Sequence, residues 1–122
     1  MKILVAEDNV DVRQALAMQL EARGHEVIQA TDGRDACRQF TDDLALIITD
    51  FQMPRMDGVG LARVAAAVPI PLVMMSGNPA LAAKALAEQG VDHGPLLWKP
   101  FDFEALCTAA RAVGVNLNGK AA

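Results

Sequence analysis

The chain has 122 residues, 52% of them hydrophobic and 21% charged, and carries a formal net charge of -4. That length holds one ordinary domain with a real core and no second folded unit, and the apolar content excludes disorder, which needs the opposite balance. The acidic excess excludes a broad nucleic-acid or anionic-membrane surface.

The chain opens on Lys2 to Ala6, KILVA, a short buried strand with Glu7 and Asp8 at its end. Asn9 suits the cap of a helix whose apolar residues Val12, Ala15, Leu16 and Leu20 recur at helical spacing, with Gly24 as the stop. His25 to Ala30 is a second, weaker strand; His25 itself reads as a surface residue. Thr31-Asp32-Gly33 is turn chemistry before a short helix carrying Ala36, Cys37 and Phe40. Cys37 and Cys107 each sit among helix-like apolar positions, far apart, and read as buried thiols, which suits the cytoplasm.

Leu44 to Gly58, LALIITDFQMPRMDG, is the stretch that packing explains least. An apolar run ends abruptly in Asp50, although charged groups are almost never buried without a partner. Asp57 and Gly58 serve the turn, with glycine where positive φ or close approach is needed. Val59 to Ala67 is a short helix, Ile70 to Met75 a fourth strand ending in Ser76-Gly77, and Asn78-Pro79 a helix start closed by Gly90. Leu96 to Trp98 is a fifth strand. Asp102 caps a last helix, with Phe101 and Leu106 placed as a hydrophobic staple and Gly114 as terminator. Residues 114–122 read as a frayed tail. Met53, Met56, Met74 and Met75 read as packing, His93 as loop, and Trp98 as core or interface. The longest near-continuous apolar run, 64–75, is too short to span a bilayer and holds Pro69 and Pro71, and the N-terminus lacks the pattern of a signal peptide.

Five apolar strand patterns alternate with five helix patterns, the signature of a parallel sheet covered on both faces in a three-layer α/β sandwich. The ligand site of such a sheet lies beyond the carboxyl ends of its strands, where strand order reverses. Glu7, Asp8, Asp50, Ser76 and Lys99 all fall on that rim. Two like charges about 4 Å apart cost about 4 kcal/mol at an effective dielectric of 20, so three carboxylates there need cations. Lys99 supplies one charge and a divalent ion the rest; oxygen-only ligands favour Mg²⁺ or Mn²⁺ over zinc. A carboxylate beside such an ion is placed to attack phosphorus and form an aspartyl phosphate, with Ser76 and the Gly77 N–H close to the phosphoryl oxygens.

Glu7-Asp8, Asp50, Met53-Pro54-x-Met56-Asp57-Gly58, Ser76-Gly77 and Lys99-Pro100-Phe101, in that order, resemble the receiver domain of two-component response regulators from Lys2 to about Val113. The resemblance implies a doubly wound, flavodoxin-like sheet of order 2-1-3-4-5 flanked by five helices. It implies Asp50 as phosphoacceptor and Mg²⁺ bound directly by Asp8, Asp50 and the backbone carbonyl of Gln52, with Glu7 acting through a metal-bound water. It further implies Ser76 as the switch hydroxyl and Lys99 as the phosphate-binding lysine, on a bond to Pro100 that is cis in the family.

The family's donor is a sensor histidine kinase or a histidine phosphotransfer protein, and such a domain catalyses only its own phosphorylation and dephosphorylation. The expectation is therefore a stand-alone receiver over 1–122 that signals to an unnamed protein or relays the phosphoryl group, with room for a homodimer and no nucleic-acid or membrane partner. Three departures stand out. Leu96 occupies a position where the family usually has an aromatic switch residue. The segment from Gly90 to Lys99 is about two residues longer than the common pattern, with His93-Gly94-Pro95 inside. The stretch from Asp50 to Ser76 is about one helical turn shorter, which predicts a stubby third helix.

Two rivals stay open. One is an aspartate-nucleophile phosphohydrolase, which typically needs a second acid two residues after the nucleophile, where this chain has Gln52. The other, prompted by Leu96 and the altered loop, is a receiver-like binding module that no longer uses phosphate.

Overall fold

The computed structural model describes residues 1–53, 57–91 and 94–118. Pro54 and Met56 of the turn after Asp50, His93 and residues 119–122 lie outside the described residues. The elements are β1 (Lys2–Ala6), α1 (Val10–Glu21), β2 (Glu26–Ala30), α2 (Gly33–Arg38), β3 (Leu44–Asp50), α3 (Gly58–Ala67), β4 (Leu72–Ser76), α4 (Pro79–Glu88), β5 (Leu96–Trp98) and α5 (Phe103–Ala112). All strand pairs are parallel and the sheet order is β2-β1-β3-β4-β5. Among the described residues no helix is long and apolar enough to cross a membrane.

Each helix begins where an Asx side chain supplies a missing acceptor. Asn9 accepts from the Asp11 and Val12 N–H groups, Asp32 from Asp35, Asp57 from Gly60, Asn78 from Leu81 and Asp102 from Ala105. A cap of this kind contributes about 1 kcal/mol and sets the frame of the helix that follows. That frame decides which face is buried.

The helices cover the sheet in two layers. Ile3, Val5, Leu46, Ile48, Val73 and Met75 pack with Leu16 and Leu20 of α1 and Leu106 and Ala110 of α5. Leu4, Ala6, Ile47 and Met74 pack with Ala36 of α2, Leu61, Ala62 and Ala65 of α3 and Leu86 of α4. The period-2 alternation of a strand explains the split along β1 and β4. β3 breaks it: Leu44 and Leu46 lie in opposite layers although two residues apart. The β1–β3 register jumps from Lys2↔Leu44 to Ile3↔Leu46, so Ala45 is the extra residue of an irregularity that reverses the side-chain sense. Beyond it, Leu46, Ile48 and Asp50 recur with period 2.

Three expectations are corrected here. α3 is not stubby: Asp57 caps it directly, Gly58 is its first residue, and it has 10 residues, as α4 and α5 do. His25 is not a surface residue but 6% exposed, its Nε2 at 2.7 Å from the Leu117 carbonyl and its Nδ1 at 3.2 Å from the Met1 amine. The described part of the tail is not frayed. Gly114, at φ 87°, turns the chain out of α5, and Val115 and Leu117 then enter the core beside that helix. Burial of these two side chains and the bond to His25 hold residues that end-fraying would otherwise release.

Candidate functional site

The strand order reverses between β1 and β3, and the crevice this opens lies beyond the carboxyl ends of the strands. Glu7 follows β1, Asp50 ends β3, Ser76 ends β4 and Lys99 follows β5. Lys99 is fixed on this rim by its N–H, which donates to the Ser76 carbonyl at 2.9 Å, and the Lys99–Pro100 peptide is cis.

Lys99 Nζ bridges two acids, 2.5 Å from Glu7 Oε1 and 3.3 Å from Asp50 Oδ2. One carboxylate oxygen from each of Glu7, Asp8 and Asp50 lies within 4.8 Å of the others. Burial grades the three: Glu7 is 1% exposed, Asp50 half-buried and Asp8 exposed. Glu7 is raised above the ordinary carboxylate range, first by desolvation, then by its hydrogen bond to Asp8 and the charge of Asp50; Lys99 pulls the other way and does not prevail. For Lys99 burial alone would lower the pKa, but the hydrogen bond to Glu7 and the charges of Asp50 and Glu7 outweigh it and the net shift is upward. The two upward shifts differ in origin: loss of solvation leads at Glu7 and the neighbouring acids add to it, whereas at Lys99 the two acids prevail over burial. An all-oxygen acidic cluster of this spacing fits a hard divalent cation.

Two hollows flank Gln52, and Asp50 lines one of them. On one side a cleft of about 300 Å³ is lined by Asp50, Gln52, Ser76, Gly77, Asn78 and Lys99. On the other a shallower hollow is lined by Asp8, Gln52, Met53 and Asp57. Gln52 borders both. Ser76 is buried, and its Oγ accepts from the Asn78 N–H at 3.0 Å, which leaves the hydroxyl proton to donate elsewhere. A Cβ at Gly77 would meet nothing within 4 Å, so the cleft is open at that backbone.

The backbone around Asp50 is held closely. Thr49 Oγ1 donates to the Asp50 carbonyl at 3.0 Å, the Phe51 N–H to Met75 O at 2.8 Å and the Gly58 N–H to Phe51 O at 2.9 Å. A Cβ on Gly58 would lie 2.7 Å from Asp50 O and 3.0 Å from Phe51 Cα, so close approach is what requires glycine there. Leu96 packs against the layer formed by α2, α3 and α4. Two contributors escape sequence reading. Thr49 gave no sign beyond strand propensity; Arg13, which donates to the Glu7 carbonyl at 2.8 Å, lay one turn after the Asn9 cap without a visible partner.

A family model for the response regulator receiver domain matches residues 3–111. The chain belongs to this family. The receiver is 32% identical over 108 residues to the response regulator receiver protein CpdR of Brucella abortus, covering 86% of this chain and 89% of that protein. It spans only about half of several transcriptional regulators that it also matches, 46% and 51% of two of them. The chemotaxis response regulator CheY4 of Vibrio cholerae superimposes with a TM-score of 0.78 at 28% identity, over 92% of this chain and 97% of that one. The response regulator TrrA of Thermotoga maritima, solved in complex with Mg(2+)-BeF, shares the fold with a TM-score of 0.77 at 23% identity, over 92% and 97% of the two chains.

Proposed function

We propose that this receiver accepts a phosphoryl group on Asp50 from a sensor histidine kinase or a histidine phosphotransfer protein in the cytoplasm, and signals by protein contact or onward phosphotransfer. The observation that carries the reading is Lys99 Nζ placed between Glu7 Oε1 and Asp50 Oδ2 at the mouth of a cleft that also presents Ser76 and Gly77. In the transfer an Asp50 oxygen forms a bond to phosphorus as the phosphorus–nitrogen bond of the donor imidazole breaks, and the electron pair leaves with the nitrogen. Lys99 turns part of its charge to the incoming phosphoryl oxygens. Ser76 donates its hydroxyl proton to one of them, and the open backbone at Gly77 lets the group approach.

Asp8, Asp50 and the Gln52 carbonyl would hold Mg²⁺, or Mn²⁺ in its place, with Glu7 acting through water. Bound there, the ion supplies neutralisation of the oxygens between Asp50 and the transferring group. Glu7 has little freedom to do more, since its Oε1 is taken by Lys99 and its Oε2 accepts from the Asn9 N–H at 3.3 Å.

The test is to mix the full chain with acetyl phosphate and Mg²⁺ and weigh it. A phosphoryl adduct that forms on the wild type and not on Asp50→Asn supports the proposal. Sustained turnover of a small phosphate ester would instead favour the phosphohydrolase, which Gln52 at the general-acid position argues against. No adduct from any donor, with Mg²⁺ binding intact, would favour a phosphate-independent binding module.

A further inference from the structure

We infer that Arg13 is a positioning residue of the acidic rim, holding the Glu7–Asp8 peptide so that Asp8 converges with Asp50 on one cation. The inference rests on the metal site proposed above. The Glu7 N–H still reaches Ala30 O at 3.1 Å, but the pairing of β1 with β2 ends at Ala6↔Ala30. Past that point β2 turns away, and the Thr31 N–H goes to Asp35 Oδ2 at 3.1 Å. The Glu7 carbonyl is then taken by Arg13 Nη1 at 2.8 Å, from the first turns of α1. The guanidinium is itself aimed: its Nε donates to Gln29 Oε1 at 3.2 Å, and Gln39 Nε2 ties the Gln29 carbonyl to α2 at 2.9 Å.

This contact matters for Asp8 in particular. Glu7 is anchored through its side chain by Lys99 and Asn9, whereas Asp8 is exposed and has no lysine against it among the described ion pairs. The peptide unit is planar, so fixing the Glu7 carbonyl oxygen fixes the plane from which the Asp8 Cα departs. A charged donor with two anchoring points is suited to that, because a planar fork loses little freedom when both arms are used.

The sign of the effect separates positioning from charge. Arg13 is a cation near a proposed cation site, so on Coulomb grounds alone its removal would tighten Mg²⁺ binding. A positioning role predicts the reverse. Partners that orient ligands typically cost about 10- to 100-fold in metal affinity when lost, and the lower end suits a half-buried site.

The experiment is calorimetric titration of Mg²⁺ into the full chain, with the rate of acetyl-phosphate labelling followed over a range of Mg²⁺. Arg13→Gln is expected to bind Mg²⁺ about tenfold more weakly, with the labelling rate returning to the wild-type level at saturating Mg²⁺, a recovery that general damage to the fold would not allow. Affinity unchanged within about twofold, or tighter, overturns the inference. A labelling rate that stays low at saturation overturns it as well. Should Arg13→Gln not fold, Gln29→Ala decides, since it frees the guanidinium and keeps its charge: weakening of about threefold is expected, and no change overturns the inference. Wild type that binds no Mg²⁺ removes the proposed site and this role together, whereas wild type that binds and labels beside an unaffected Arg13→Gln removes this role alone.

Discussion

Trp98 lies directly opposite Ser76 in the parallel pairing of β4 with β5. The serine is buried at the cleft beside Asp50, and the indole is 68% exposed, on a strand at the sheet edge. Trp98 ends a β5 of only three residues, and the N–H of Lys99, which follows at once, donates to the Ser76 carbonyl.

The emission of Trp98, the chain's single tryptophan, is therefore expected to shift on adding Mg²⁺ and again on adding beryllofluoride, and to return on chelation. Steady-state fluorescence suffices to check this. A spectrum that ignores both additions would mean that the rim and β5 are not coupled.

Gly58→Ala is expected to destabilise the domain. Alanine is the better helix former by about 1 kcal/mol, but its Cβ would fall 2.7 Å from Asp50 O and 3.0 Å from Phe51 Cα, both backbone atoms that cannot swing aside. Overpacking of this kind costs about 1–3 kcal/mol, and because the pressure falls on the peptide of Asp50, the proposed phosphoacceptor, labelling should slow as well. Urea unfolding gives the first number; equal or higher stability would show that the loop gives way freely.

With Mg²⁺ removed by chelator, Asp50→Asn is expected to be about 1–2 kcal/mol more stable than wild type, because two carboxylate repulsions outweigh the attraction to Lys99 at 3.3 Å. At a hundredfold excess over the dissociation constant Mg²⁺ should add about 2.7 kcal/mol to the wild type and little to the variant. The pH dependence has a definite sign. Folded Glu7 binds its proton more tightly than unfolded Glu7, so its contribution is fully present below 4.5 and is lost as pH rises through the raised value. Lys99 acts in the same direction, with its contribution present below 10.5 and lost above. In chelator the acid-side loss should vanish in Glu7→Gln; a wild-type profile that rises across that window would contradict the assignment.

Leu117→Ala should cost about 2–5 kcal/mol, the range for a buried leucine truncated in a core, since Leu117 is 1% exposed and packs beside α5. Denaturant unfolding reads it directly. A loss below about 0.5 kcal/mol, the usual surface value, would return this segment to the status of a tail.

Much of this was legible along the chain because it is locally encoded. Asn9, Asn78 and Asp102 cap helices through bonds that reach only two or three residues ahead, and apolar runs ending in Glu7, Asp50, Ser76 and Lys99 mark strand ends without any knowledge of neighbours. Their convergence followed from one topological rule for parallel sheets. What the chain could not declare was non-local. His25 looked like a surface residue because its partner, the Leu117 carbonyl, is 92 residues away.

The same holds for Ala45, whose extra residue is visible only against the register of β1, and for the close approach of Gly58 to the Asp50 carbonyl. Arg13 has no partner visible along the chain; its bond to the Glu7 carbonyl exists only because the chain turns away after β2 and leaves that oxygen to it. Sequence alone determined where chain reversals and caps fall, since those depend on backbone dihedrals and bonds a few residues long. Tertiary structure decided which buried groups found partners, since that depends on packing between elements that no local pattern records.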